Sequence, residues 1–262
     1  MTDLNNIRLF LLDMDGTFYL GDRLLPGALE FIESCQHKEL DYLFLTNNSS
    51  KHRGQYAEKL RRLGLEIGQE KIFTSGEATA IYLNQKKPGA RLYVVGTPAL
   101  EEEFHSHGFN LGEDRPDYVV LGFDTTLTYN KLWRLCDLVR DGRPYIATHP
   151  DFNCPIEDGF MPDIGAMIAF VEASTGRRPD VVVGKPNQPI IDALVKKTGV
   201  PIPHICMVGD RLYTDIALGA TGITTVLVLS GEASRADLPT APHPPDFVMQ
   251  DLAELAANLQ NS

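Results

Sequence analysis

Ile7-Arg8-Leu9-Phe10-Leu11-Leu12-Asp13-Met14-Asp15-Gly16-Thr17 is an apolar run, broken only by Arg8, that stops abruptly at a carboxylate. Such a run reads as a buried central strand feeding a functional loop. The carboxyl ends of strands of this kind are where open α/β sheets bind ligands. The same pattern recurs where residues 42–45 lead into Thr46-Asn47-Asn48, and where residues 205–208 lead into Gly209-Asp210-Arg211-Leu212-Tyr213-Thr214-Asp215. Val181-Val182-Val183 likewise precedes Gly184-Lys185-Pro186. Four scattered segments are thus expected to converge on one phosphate.

Outward from the first strand, Pro26 opens a helical pattern in which Ala28, Leu29, Ile32 and Cys35 share a face. The strand over 42–45 follows, which implies a right-handed parallel crossover. Residues 51–63 read as a basic amphipathic helix ended by Gly64. A weak strand at Ile72-Phe73 and a helix over 75–83 come next, before Lys86-Lys87-Pro88-Gly89 breaks the pattern. From Arg91 the alternation restarts, with strands over 92–95, 118–121 and 145–147 and helices over 98–107, 129–139 and 164–174. In this stretch Trp133 reads as core, and residues 149–163, rich in Pro, Asp and Gly, read as a loop. A third stretch opens at Val181, with helices over 188–197 and 215–218 and strands over 205–208 and 224–229. Residues 230–245 hold four prolines and read as irregular, before a short edge strand at Phe247-Val248 and a final helix over 252–259.

The motif spacing locates an insertion. Asp13 and Thr46 are 33 positions apart, enough for one crossover, whereas Thr46 and Lys185 are 139 apart. The expected organisation is α/β: residues 1–80 and 181–262 form a discontinuous Rossmann-like core with a parallel sheet, and residues 81–180 form a large inserted α/β cap.

The residue types set the chemistry. A carboxylate can attack phosphorus to form an acyl phosphate that water then hydrolyses, and Asp13 stands where that nucleophile belongs. Asp15 is placed to protonate the leaving oxygen and later to take a proton from water. Gly16 lets the backbone pass close to the phosphate. Carboxylates crowding a phosphate require a counter-ion, and Mg²⁺ takes oxygen ligands. The candidate ligands are the side chains of Asp13 and Asp210 and the backbone carbonyl of Asp15. Thr46 offers a hydroxyl, Asn47 a backbone N–H and Lys185 a full charge to the phosphate oxygens. Asp215 is a supporting residue, expected to orient Lys185 or a metal-bound water. Singly, each motif has a plainer reading: a turn for Asp-x-Asp-Gly, a helix cap for Thr46, a first-turn acid for Asp215. Their occurrence together and in order carries the inference.

On these motifs the chain resembles haloacid dehalogenase (HAD) superfamily phosphatases. The inserted module, Leu45-Thr46-Asn47-Asn48-Ser49-Ser50 and Gly209-Asp210-Arg211-Leu212 are similar to the class IIA branch, which includes NagD-like and p-nitrophenyl phosphatases. The resemblance implies a cap that sets specificity and a homodimer formed through it. Where the branch commonly has Asn-Pro-Asp and Pro-Gly-x-Gly, this chain has His149-Pro150-Asp151 and Pro162-Asp163-Ile164-Gly165. His149, Asp151 and Asp163 are therefore candidate cap contacts to substrate, while His105 and His107 read as surface or packing residues.

The implied function is Mg²⁺-dependent hydrolysis of small phosphate monoesters, such as sugar phosphates or nucleotides, through an aspartyl-phosphate on Asp13. A phosphotransferase, or a catalytically idle sensor of a phosphorylated ligand, would share the same pocket. A dehalogenase would need neither Asp15 nor Asp210 nor a metal. Composition narrows the partners: a net charge of -11 argues against nucleic acid and anionic membrane as partners, leaving a small phosphorylated metabolite. No apolar stretch approaches the length of a membrane span, about 20 residues. Cys35, Cys136, Cys154 and Cys206 show no metal-ligand spacing and read as reduced thiols, which with the absent signal-like N-terminus fits a cytoplasmic protein.

Overall fold

Leu9, Phe10, Leu11 and Leu12 are each fully buried, and they form the strand Leu9–Leu12. Burying each such side chain contributes roughly 1.5–3 kcal/mol, so this position commits the chain to a sheet covered on both faces. The strand pairs in parallel with Ile205–Gly209 on one side and Asp41–Thr46 on the other. The computed structural model describes residues 4–156 and 159–260. Across its six-stranded sheet the order is Phe247–Met249, Thr224–Val228, Ile205–Gly209, Leu9–Leu12, Asp41–Thr46 and Ile72–Thr74. In register, Leu12 lies opposite both Val208 and Phe44, so Asp13, Thr46 and Asp210 all fall at the carboxyl edge. The expected α/β class with a parallel core sheet is the observed one.

Helix Ala28–His37 covers one face of this sheet: Phe31 meets Phe10 edge to face at 5.3 Å, and the helix packs against the last one, Leu252–Gln260. Phe18 meets Phe44 in the same way at 4.8 Å. Such edge-to-face pairs add to simple area burial.

By its internal contacts the chain divides into two units. The first comprises Met1–Thr46, Tyr56–Phe73 and Lys185–Ser262; the second comprises Asn47–Gln55 and Thr74–Gly184. The joins differ from the expected bounds. Val181–Val182, read as the start of the core's last stretch, pairs in parallel with Tyr145–Ala147 and forms the edge of the second unit's sheet. Three valines in a row carry no sign of which sheet they join; both paired valines are only half-buried, as an edge position allows.

The second unit's five-stranded sheet runs Val181–Val182, Tyr145–Ala147, Tyr118–Leu121, Arg91–Val95, Asn110–Leu111. Four helices accompany it, Ser75–Lys86, Pro98–Ser106, Tyr129–Arg140 and Ile164–Thr175. Their first N–H groups are capped by the side chains of Thr74, Thr97, Thr128 and Asp163. Such caps are worth about 1 kcal/mol each.

Three local expectations are corrected. Within residues 149–163, Asn153–Ile156 and Gly159–Pro162 pair as an antiparallel ribbon, while residues 157 and 158 lie outside the described residues. Proline is tolerated in an isolated two-stranded ribbon, where few ladder bonds are required. Residues 230–245 contain a 3-10 helix, Arg235–Thr240, started by a Ser234–Asp237 capping box. Trp133 is 61% exposed rather than core, because Leu135, Cys136, Leu138 and Val139 form the buried face of its helix. Among the described residues no helix is long and apolar enough to cross a membrane.

Candidate active site

Asp13 is held at the end of its strand by an N–H bond to the Val208 carbonyl at 2.9 Å. Lys185 Nζ donates to Asp13 Oδ1 at 2.5 Å, to Asp215 Oδ1 at 2.6 Å and to the Leu45 carbonyl at 3.2 Å. Asp13, Lys185, Asp210 and Asp215 are all buried in the first unit. Carboxylate oxygens of Asp13, Asp210 and Asp215 lie within 4.8 Å of one another.

This much like charge leaves a physical signature. Burial first, then the charges of Asp13 and Asp215, push the Asp210 carboxyl up to about 7. Burial likewise raises Asp215 to about 6; Lys185 opposes the rise and Asp13 adds to it. Burial works against the Lys185 charge, but Asp13 and Asp215 outweigh it and hold the ammonium above its ordinary range. Lys185 bonds Asp13 and Asp215 directly and the Arg211 guanidinium attracts Asp210 and Asp215, so three carboxylates face two cations, and the remaining negative charge, on hard oxygen donors, suits a divalent cation.

Asp210 is the most constrained of these groups. Its Oδ1 accepts from Thr17 Oγ1 at 3.0 Å and its Oδ2 from the Glu232 N–H at 2.8 Å. A side chain at Gly16, where φ is +89°, would place Cβ 2.3 Å from Asp210 Oδ2, and one at Gly231 would place it at 2.0 Å. Both positions must therefore be glycine for the carboxylate to fit. Sequence reading assigned Gly16 to the phosphate; the structure adds this packing against Asp210. Thr17, Gly231, Glu232 and Ser230, whose Oγ donates to the Gly16 carbonyl at 3.0 Å, were missed. The signal was available: Ser230-Gly231-Glu232 follows the apolar strand Thr224–Val228, as the other motifs follow theirs.

Asp15 stands apart. Its side chain is 52% exposed, with Tyr19 Oη at 3.5 Å and Lys59 Nζ at 4.0 Å, and it is not part of the acidic group. The sequence expectation concerned its backbone carbonyl, which leaves the side chain in contact with water. Asp215 joins the acidic group and is ion-paired to Lys185. Thr46 belongs to the first unit and Asn47 to the second, so the expected phosphate loop spans a join.

The cap candidates also come together. His149, Asp151 and Asp163 place ligand-type atoms within 4.8 Å of one another in the second unit. His107 accepts no such role: its ring Nδ1 bonds the Glu103 carbonyl at 2.8 Å. No disulfide is formed among the described residues.

An open parallel sheet with an aspartate, a paired lysine and further acids gathered at its carboxyl edge is the arrangement of a phosphoryl-processing α/β protein. Comparison with known proteins agrees. The haloacid dehalogenase-like hydrolase family matches residues 10–110, and a HAD-hydrolase-like family matches residues 182–255. An acid sugar phosphatase of Staphylococcus aureus is 36% identical over 98% of this chain and all of its own length. The solved 4-nitrophenylphosphatase of Thermotoga maritima is 49% identical with a TM-score of 0.94, covering 98% of this chain and 99% of its own. NagD of Escherichia coli K-12 is 33% identical with a TM-score of 0.87, covering 95% and 98%. The chain belongs to the haloacid dehalogenase-like hydrolases, in their class IIA, NagD-like branch, and is a phosphatase acting on phosphoric monoesters.

Proposed function

We propose that this phosphatase hydrolyses small sugar phosphates and related metabolites with Mg²⁺, through an aspartyl-phosphate on Asp13. The observation that carries the reading is the buried Asp13 carboxylate at a strand end, 2.5 Å from Lys185 Nζ and grouped with Asp210. The names of the curated sugar phosphatase and the nitrophenylphosphatase favour a small monoester over a polymer.

In this mechanism the Thr46 hydroxyl, the Asn47 N–H and the Lys185 ammonium hold the phosphate oxygens. Asp13 attacks phosphorus, the bond to the leaving oxygen breaks, and Asp15 delivers a proton to that oxygen. Water then attacks the phosphorus of the acyl phosphate while Asp15 takes its proton, releasing phosphate and regenerating Asp13. Asp13, Asp210 and the Asp15 carbonyl would hold Mg²⁺, which would supply the charge that lets a phosphate dianion approach these acids. Asp215 keeps Lys185 aimed at Asp13. The exposed Asp15 side chain leaves the first step as a carboxylate, the form the second step needs as its base. The second unit acts as the cap that selects substrate and forms a homodimer, and the protein works in the cytoplasm; light scattering tests the dimer.

The deciding experiment measures phosphate release from p-nitrophenyl phosphate and from a panel of sugar, polyol, nucleoside and pyridoxal phosphates. Native protein is run with Mg²⁺ and with EDTA, beside Asp13→Asn. Metal-dependent release that the variant lacks supports the reading; release that survives in Asp13→Asn overturns it.

A further inference from the structure

His149 and Asp163, the two departures from the branch's usual wording, are 14 positions apart and touch: His149 Nε2 lies 3.0 Å from Asp163 Oδ1, with both side chains buried. The same Oδ1 accepts the Ile164 N–H at 2.6 Å. A carboxylate oxygen can only accept, so His149 Nε2 carries a proton, and in the neutral imidazole Nδ1 is then an acceptor. One direction of donation then satisfies the whole chain of contacts. The Phe123 N–H donates to Ser49 Oγ at 3.0 Å, and Ser49 Oγ to Thr148 Oγ1 at 2.9 Å. Thr148 Oγ1 donates in turn to His149 Nδ1 at 3.2 Å, and Nε2 closes the series on Asp163.

The loop that starts at His149 also reaches Asn47. Both carboxylate oxygens of Asp151 accept from Asn47 Nδ2, at 3.1 and 3.2 Å, and Ser75 Oγ donates to the Asn47 carbonyl. Gly184 closes the arrangement: a Cβ there would come within 2.6 Å of Asn47 Oδ1 and 2.7 Å of the His149 Cβ. All these residues belong to the second unit. By covalent connection, however, Asn47 directly follows Thr46 and Gly184 directly precedes Lys185. A buried polar network is costly unless every member is paired, and this one is placed where the chain enters and leaves the second unit beside two site residues.

We propose that Asp151 is a positioning residue that fixes Asn47, and that the His149–Asp163 pair braces the loop carrying Asp151, so that the Asn47 N–H is held ready for the phosphoryl group. This rests on the reading above that Asn47 contacts the phosphate. With its side-chain amide committed to Asp151, Asn47 acts on substrate through its backbone, and Asp151 acts only through Asn47.

The test compares native protein with Asp151→Ala, Asp151→Asn, Asn47→Ala and the Asp151→Ala/Asn47→Ala double variant. The readouts are kcat and KM for p-nitrophenyl phosphate, calorimetric affinity for inorganic phosphate with Mg²⁺, and Tm. Asp151→Ala is expected to lower kcat about tenfold to a hundredfold, the cost of a displaced contact. Phosphate affinity should fall about threefold to tenfold, the worth of one hydrogen bond. Asp151→Asn, which keeps an oxygen acceptor, should recover most of both. The double variant should be no worse than the poorer single, because the two residues share one contact. Asp163→Ala should reproduce part of the kcat loss and Asp163→Asn little of it.

Values for Asp151→Ala within about twofold of native in both kcat and phosphate affinity would overturn the proposal. So would single losses that multiply in the double variant, since Asp151 would then act elsewhere. Stoichiometric Zn²⁺ or Mn²⁺ in the native protein, lost in both His149→Ala and Asp163→Ala, would replace the brace by a metal site. If native protein binds phosphate but hydrolyses no monoester, and Asp151→Ala weakens that binding non-additively with Asn47→Ala, the phosphatase mechanism fails while the positioning role stands.

Discussion

The acidic site of the first unit and the polar network of the second draw on similar side chains and meet their carboxylates with different partners. Around Asp13, three buried carboxylates face one bonded ammonium, and Asp210 is driven up to about 7. Around His149, two aspartates are answered by the Asn47 amide, the Ile164 N–H and the imidazole. A cluster whose carboxylates crowd one another is built to receive a cation. A cluster closed upon itself is built to keep a shape.

The contrast breaks most sharply at the nucleophile. Asp13→Asn should reduce phosphate release about a thousandfold or more while the chain stays folded, because a carboxamide cannot form the acyl phosphate. Circular dichroism beside the release assay checks both halves. Next, metal removal should expose the surplus charge. A carboxyl with a raised folded pKa retains its proton longer in the folded chain than in the unfolded one. The folded state then binds more protons between about pH 4 and pH 7, and its stability falls as pH rises through that window. Asp215, raised to about 6, adds to the same fall over the lower part of the range. In EDTA, Tm should therefore drop from pH 5 to pH 8. Mg²⁺ should restore it at pH 8, and Asp210→Asn should flatten the slope; a Tm that rises with pH in EDTA would contradict the charge surplus.

The second unit should respond to shape instead of charge. Gly184→Ala forces a methyl against Asn47, His149 and the Thr148 carbonyl, and overpacking of this kind costs about 1–3 kcal/mol. The loss should show in chemical denaturation at any pH, with or without Mg²⁺. The smallest effect belongs to Trp133→Ala. This residue lies on the exposed side of its helix, so the change in stability should stay within about 0.5 kcal/mol and kcat for p-nitrophenyl phosphate should be unaltered.

Strand-end logic made the acidic site legible in sequence, because Asp13, Thr46 and Asp210 each come at the end of a short apolar run that reads as a buried strand and is one in the structure. Lys185 was found through its motif, although the valines before it pair in the other sheet. What stayed hidden depended on long-range packing. Nothing local to Gly231 announces that an aspartate carboxylate will rest against it, and the prolines after it masked the loop that carries it. His149 and Asp163 were both noticed as departures, but their contact spans a ribbon that Pro155 and Gly159 disguised as a loop. Trp133 misled because aromatic character alone says nothing of which helix face it occupies.

The central strand bears on how this protein is made. Of the two sheet neighbours of Leu9–Leu12, Asp41–Thr46 follows within a few tens of residues, whereas Ile205–Gly209 is translated almost two hundred residues later. Throughout that interval the apolar strand lacks the partner for one of its two flanks, and an unpaired strand edge is a site for misassociation. Asp210 arrives just after that same late strand, so a nascent chain that stops short of it cannot hold the complete acidic cluster.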